Sequence, residues 1–242
     1  MNAPTLLVVA KAPVPGLTKT RIASTVGDVA AAEVAAAALL DTLITATSVG
    51  WPVVVSMTGD LAQAVRSDEI VAALEQTRVV QQQGEGLGER LAHAHVDADA
   101  ARGVVQVGMD TPQITVADYL AAGNIVLNGS RVIGRADDGG WWLLGLPDPH
   151  EAHGLVSVGM SQDDTAEETE IALGGDFEHV RTVRDMDTWE DAVDIAASLP
   201  ISHLAFAVQR VQKMMAAESE PATDAPIPDA PVQDAPTEEA RV

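Results

Sequence analysis

The chain has no cysteine, one tyrosine, two phenylalanines and only three lysines among 242 residues, against 36 aspartates and glutamates. The missing cysteines exclude disulfides, thiolate metal sites and thiol nucleophiles; they leave the redox compartment open, with a reducing cytoplasm as the default expectation. The shortage of cations leaves a formal charge of -22 and a pI near 4.3. Such a surface argues against nucleic-acid polymers and anionic membranes as partners and leaves a small ligand as the expectation. The first apolar run, Leu6-Leu7-Val8-Val9-Ala10, is too short for a secretory core and follows no basic segment, so neither a signal peptide nor a transmembrane span is expected. No G-x-S-x-G elbow or Ser-His-Asp order occurs, which disfavours hydrolase chemistry of that kind.

What is present is a regular alternation. Short apolar runs at 6–10, 53–56, 78–82, 104–107, 131–134, 141–146 and 180–183 read as strands. Helical patterns at 30–47, 60–76, 87–101, 116–127, 163–173, 188–199 and 203–217 separate most of them. Strands alternating with helices imply βαβ units, hence a mostly parallel sheet covered on both faces in a three-layer α/β/α sandwich. With 47% hydrophobic residues, residues 1–215 are expected to form one domain. Residues 216–242 hold seven acids, one arginine and recurrent prolines without an aromatic residue. That segment buries too little apolar area to offset ordering and is expected to be a disordered tail.

The chemistry is expected around residues 11–21, Lys11-Ala-Pro13-Val-Pro-Gly16-Leu-Thr-Lys19-Thr-Arg21, which hold two of the three lysines. An acidic chain that gathers its few cations in one proline- and glycine-stiffened loop after a buried strand offers a phosphate cradle there. The spacing is neither a Walker A loop nor a dinucleotide fingerprint, and a solvated surface turn is the alternative. Asp110 falls just beyond the 104–107 strand, where a carboxylate can hold Mg²⁺ or Mn²⁺ against phosphates, or cap a turn before Pro112. Asp138-Gly139-Gly140-Trp141 offers a carboxylate, close backbone approach and a stacking ring, or simply a hairpin turn. Gln83-Gly84-Glu-Gly-Leu-Gly-Glu-Arg90-Leu precedes a helix whose N–H groups and Arg90 can face phosphate, with surface pairing of Arg90 to Glu85 or Glu89 as the alternative. Asp187 followed by Glu190 reads as a capping box, leaving Asp185 at a strand end. His93, His95, His150 and His153 read as surface residues.

Five stretches in this order, the 11–21 loop, 83–91, Gly108-Met-Asp110-Thr-Pro112, 138–145 and Asp185-Met-Asp187-Thr-Trp-Glu-Asp191, resemble the selenodomain-associated transferases. This bacterial GT-A-like family is related to nucleotide-diphospho-sugar transferases. The resemblance spans residues 5–195 and implies a metal-dependent transfer of sugar from a nucleotide-sugar to a small acceptor. It implies nucleotide or phosphate contacts from Lys11, Pro13, Gly16, Lys19, Arg21, Gln83, Gly84 and Arg90. It further implies Mg²⁺ or Mn²⁺ on Asp110 and Asp138, a base in Asp138 or Asp185, and acceptor contacts from Gly139, Gly140 and Trp141. The chain departs from the family in carrying Trp141 for tyrosine and Arg135 for proline, and it lacks the Asp-x-Asp of GT-A glycosyltransferases. A nucleotidylyltransferase, phospholactate guanylyltransferase-like, is therefore the competing expectation, and a non-catalytic nucleotide-binding protein a third.

Overall fold

The computed structural model describes residues 3–219. Seven strands, β1 (Thr5–Lys11), β2 (Val53–Thr58), β3 (Arg78–Gln81), β4 (Val104–Gly108), β5 (Arg131–Ala136), β6 (Trp141–Leu146) and β7 (Phe177–Val183), form one sheet in the order β3-β2-β1-β4-β6-β5-β7. All pairings are parallel except those of β6 with β4 and β5. The short turn between β5 and β6 permits only an antiparallel pair, whereas every parallel pair needs a longer crossover. Leu6, Leu7 and Val8 of β1 are wholly buried on both faces, which is why the central strands are apolar without alternation.

Among the described residues there are eight α-helices: α1 (Thr20–Val26), α2 (Asp28–Ser48), α3 (Ser67–Leu74), α4 (Leu87–Ala98), α5 (Val116–Leu127), α6 (Thr165–Ala172), α7 (Trp189–Ser198) and α8 (His203–Ser219). On one face Leu6, Val8 and Val55 meet Leu39 and Leu43 of α2, Ile70 of α3 and Tyr119 of α5. On the other, Leu7, Val54 and Val104 meet Ala94 and Ala98 of α4. Beside them a 3₁₀ segment, Pro149–Ser157, covers Leu144 and Leu146. The layers expected from sequence are therefore present, with α7 and α8 added outside α2.

That added layer explains α2, which among the described residues is the one helix long and apolar enough to cross a membrane. Its Leu39 side faces the sheet and its Val34 side faces Trp189 and Leu204. Asp41 sits in the middle of α2, 9% exposed. Its two carboxylate oxygens accept the backbone N–H groups of His203 and Leu204, both at 2.9 Å. One helix thus caps the start of another, offsetting donors that α8 cannot satisfy itself. Asp41→Leu is expected to lower unfolding free energy by about 2 kcal/mol, since two buried donors lose a charged acceptor. Urea unfolding at neutral pH measures this, and an unchanged midpoint contradicts it.

Several boundaries differ from the sequence reading. The 60–76 helix divides into a 3₁₀ turn, Leu61–Gln63, and α3, because Asp60 caps the turn and Arg66 takes a left-handed φ of 54°. Helix α4 stops at Ala98 before left-handed Ala101 and Gly103. Helix α8 continues two residues past the expected 217, to Ser219. The remainder of the expected tail lies outside the described residues.

His95 corrects a surface assignment: it is 0% exposed on the inner side of α4. Burial pushes its pKa down to about 4 from 6.5, Gln106 beside it offsetting only part, and neither ring nitrogen has a well-aligned hydrogen bond. The unfolded chain takes up a proton near pH 6.5 that the folded chain refuses until about pH 4. Stability from this group is therefore complete above pH 6.5 and is lost as pH falls through that window,. Between pH 6 and 5, wild type should lose up to about 1.4 kcal/mol relative to His95→Leu. Paired urea melts at the two pH values check it; a constant difference contradicts a neutral buried imidazole.

Candidate active site

The carboxyl ends of β1, β4 and β7 and the β5–β6 turn converge on one side of the sheet. Lys11 ends β1 exposed; Pro13 is buried and its carbonyl accepts Val65 N–H at 3.1 Å; Gly16 turns with φ +76°. Lys19 then enters α1 in the left-handed region, φ 48°. Its side chain is only 9% exposed. Its ammonium lies 2.9 Å from Asp110 Oδ1 and 3.6 Å from Asp187 Oδ1, and it donates to the Met186 carbonyl. Arg21 donates to Asp187 Oδ2 at 2.8 Å from an exposed position. Lys11 forms no ion pair among the described residues, whereas Lys19, nearly buried, and Arg21, exposed, are both paired with carboxylates.

Asp187 was assigned to a helix cap from sequence. The cap of α7 is instead Thr188, whose side chain accepts Asp191 N–H while Asp191 returns to the Thr188 N–H and hydroxyl. Shifting the box by one residue releases Asp187 to the site. Asp138, Asp185 and Asp187 then place carboxylate oxygens within 4.8 Å of one another. Burial, followed by the charges of Asp187 and Asp138, raises the Asp185 pKa to about 6. Three converging carboxylates make an oxygen-only donor set suited to a hard divalent cation. Asp110 stands across Lys19 from this group, and its carbonyl accepts Met186 N–H at 2.9 Å, tying the end of β4 to the segment after β7.

Two adjoining cavities share Met109 and Asp110. One, about 420 Å³, is walled by Lys11, Lys19, Arg21 and Asp187. The other, about 270 Å³, has Asp138, Gly140 and Asp185 on one side and Trp141, Trp142, Leu87 and Met160 on another. Gln106, 3% exposed, is in its wall with Oε1 sealed from solvent. Gly140 N–H closes onto Asp138 Oδ1 at 2.8 Å, and Trp141 Nε1 donates to Thr169 at 3.1 Å, fixing the ring. Cationic pocket, carboxylates and an aromatic-walled cavity are thus contiguous.

Other sequence candidates are placed elsewhere. Gln83, Gly84 and Arg90 line neither cavity. The Gln83 carbonyl bonds His93 Nδ1 at 2.9 Å, and a Cβ on Gly84 would lie 2.7 Å from that of Glu89, so these residues fasten the start of α4. Half-buried Arg90 leaves Nε without a partner. Gln82 is the residue that reaches inward, donating to the Ala10 and Ser56 carbonyls at 3.0 and 2.9 Å. Gly139 packs on Asp163, and Gly140 beside it borders the cavity. Sequence reasoning missed Asp187 and Gln106. The first had a signal in Thr188-x-x-Asp191, and the second had none.

Residues 40–162 match the model of a family described as an uncharacterized protein conserved in bacteria, DUF2064. No curated protein matches the chain. Among solved structures, a protein of Desulfovibrio desulfuricans G20, assigned provisionally as a nucleotide-diphospho-sugar transferase, superposes with a TM-score of 0.75 at 24% identity. The match covers 88% of this chain and 97% of that one. Rv0371c of Mycobacterium tuberculosis H37Rv, crystallised with manganese, gives 0.53 at 17% identity over 79% and 97%. The 4-diphosphocytidyl-2C-methyl-D-erythritol synthase of Anaerococcus prevotii DSM 20548 gives 0.51 at 12% over 86% and 99%. These likenesses establish the fold alone, which the chain shares with these three structures.

Proposed function

The chain belongs to the DUF2064 family of bacterial proteins, and we propose that it is a metal-dependent transferase acting on a nucleotide-sugar, within the selenodomain-associated group that its five motifs resemble. One observation carries this reading: the cationic loop and the aspartate cluster meet at Lys19, at the junction of two cavities. Lys11 and Arg21 hold the phosphates in the outer cavity. Lys19 acts from within, holding Asp110 and Asp187 in register by ion pairs. Asp138, Asp185 and Asp187, with Asp110 adjoining, would hold Mg²⁺ or Mn²⁺. When bound, such an ion offsets the negative charge that builds on a departing nucleoside diphosphate.

The small acceptor occupies the aromatic-walled cavity, its body against Trp141 and its hydroxyl toward Asp138 and Asp185, one of which takes the proton,. On this reading residues 1–215 are the catalytic domain and the acidic segment beyond is dispensable for turnover, in a cytoplasmic setting.

Nucleotidyl transfer is the second reading, favoured by the single Asp110 at the end of β4 where an Asp-x-Asp pair would mark a glycosyltransferase. Products separate the two. Glycosyl transfer releases a nucleoside diphosphate from a nucleotide-sugar; nucleotidyl transfer releases pyrophosphate from a triphosphate. Incubation with both donor panels, Mn²⁺ and candidate hydroxyl acceptors, read by phosphorus NMR, is expected to give nucleoside diphosphate. Pyrophosphate formation overturns the first reading in favour of the second.

A further inference from the structure

Three of the six histidines gather in a groove that belongs to neither active-site cavity. It encloses about 420 Å³ between α4 and the 3₁₀ segment Pro149–Ser157, with Glu89 and His93 on one wall and His150 and His153 on the other. Residues 89 and 93 are one helical turn apart on α4, and residues 150 and 153 are one turn apart in a 3₁₀ helix. Each element therefore presents its pair along a single edge. Ala92, Val96 and Val156 complete the lining. The two backbones come this close because Gly88 has no side chain: a Cβ there would stand 2.2 Å from the Leu155 carbonyl oxygen.

We propose that this groove is a transition-metal site, taking an ion such as Zn²⁺, Ni²⁺ or Cu²⁺ on His93, His150 and His153 with Glu89 as a carboxylate ligand. His93 Nδ1 already faces the Gln83 carbonyl at 2.9 Å. Donation there places the ring proton on Nδ1 and leaves Nε2 as a lone-pair donor, the arrangement that orients metal-binding imidazoles. Three nitrogens and one oxygen suit these ions and not Mg²⁺, whereas the oxygen-only aspartates have the opposite preference. Among the described residues the aspartates are the group whose ligand atoms already lie within 4.8 Å of one another. The three imidazoles are exposed, and the proposal requires them to turn onto the ion. The strongly negative chain raises the local concentration of any cation. An ion here ties α4 to the 3₁₀ segment and fixes the helix that carries Leu87 and Leu91 of the aromatic-walled cavity.

The test is calorimetric titration of Ni²⁺ into tag-free, full-length protein with excess Mg²⁺ present to occupy the aspartates. One Ni²⁺ per chain is expected, with binding weakened at least about tenfold both in His93→Ala and in the His150→Ala/His153→Ala double variant. Ni²⁺ should raise the melting temperature of wild type but not of the double variant. The His150 and His153 side chains are exposed, so metal-free melting of the double variant should be unchanged, and this is checked alongside. Absence of binding overturns the proposal. So does equal affinity in the double variant, or a loss confined to Asp185→Asn, which would assign the ion to the aspartates.

Discussion

Asp185→Asn is expected to lower transfer activity by a factor of about 10²–10³ while making the metal-free protein more stable. The first effect follows from removing one charged oxygen donor from a three-carboxylate cluster and one of two groups facing the acceptor hydroxyl. The second follows from the sign of the pKa shift. Folding raises the Asp185 carboxyl to about 6 from 3.8, because burial and the charges of Asp187 and Asp138 oppose its ionisation. The cost is absent below pH 3.8, grows as pH rises and is complete above about pH 6,. Discounted for partial exposure, asparagine should therefore gain about 1–2 kcal/mol at pH 7 in the presence of a chelator. Melts in EDTA and steady-state rates in Mn²⁺ read the two halves separately. A variant that is destabilised in EDTA contradicts the crowded-carboxylate account.

Gly139→Val should be the most damaging single change in the β5–β6 turn, and for a structural reason. Gly139 has φ +87°, and a Cβ there would sit 1.8 Å from the Asp163 carbonyl oxygen. Its own carbonyl accepts Ala166 N–H at 2.9 Å, anchoring the start of α6. A β-branched residue in the left-handed region costs about 1–3 kcal/mol, and the backbone clash adds about as much again. A loss of about 3–5 kcal/mol, or roughly 10 °C in melting temperature for a domain of this size, is expected. Activity should fall with it, since Met160, Ser161, Gln162 and Thr165 of the displaced segment border the aromatic-walled cavity. Gly139→Ala tests the same clash with the smallest possible side chain; a fully stable alanine variant would show that the segment yields. Glycine here is required by packing, whereas Gly140 and Trp141 line the cavity.

The sheet was legible because its strands are short apolar runs and the helices between them are long enough to register a 3.6-residue period. Helix α5 and strand β6 match the expected limits at both ends, bounded respectively by the Thr115–Asp118 capping box and by Gly140. The 3₁₀ segment Pro149–Ser157 has no apolar period to betray it, and α1 is too short to show one. In the candidate site, residue types on loops after strands singled out Lys19, Asp110, Asp138 and Asp185, which the fold brings near one another, but not what each touches. Asp187 was hidden by a frame ambiguity, since Asp187/Glu190 and Thr188/Asp191 both satisfy a cap and only three-dimensional geometry separates them,. His95 and its neighbours show the same limit: a single helix carries one histidine into the core and another to a groove, two residues apart.

On the proposed function, the cationic loop and the aspartates form one site in which nucleotide and divalent cation depend on each other. Thermal-shift titration of nucleoside diphosphates and nucleotide-sugars with and without Mn²⁺, on wild type and Asp185→Asn, tests it most directly. A ligand at 100 times its Kd stabilises by about 2.7 kcal/mol, roughly 5–10 °C for a domain of this size. The account predicts that shift for at least one diphosphate nucleotide in wild type, only with Mn²⁺ present, and its loss in the variant. A shift that is the same without metal, or that persists in Asp185→Asn, would contradict it.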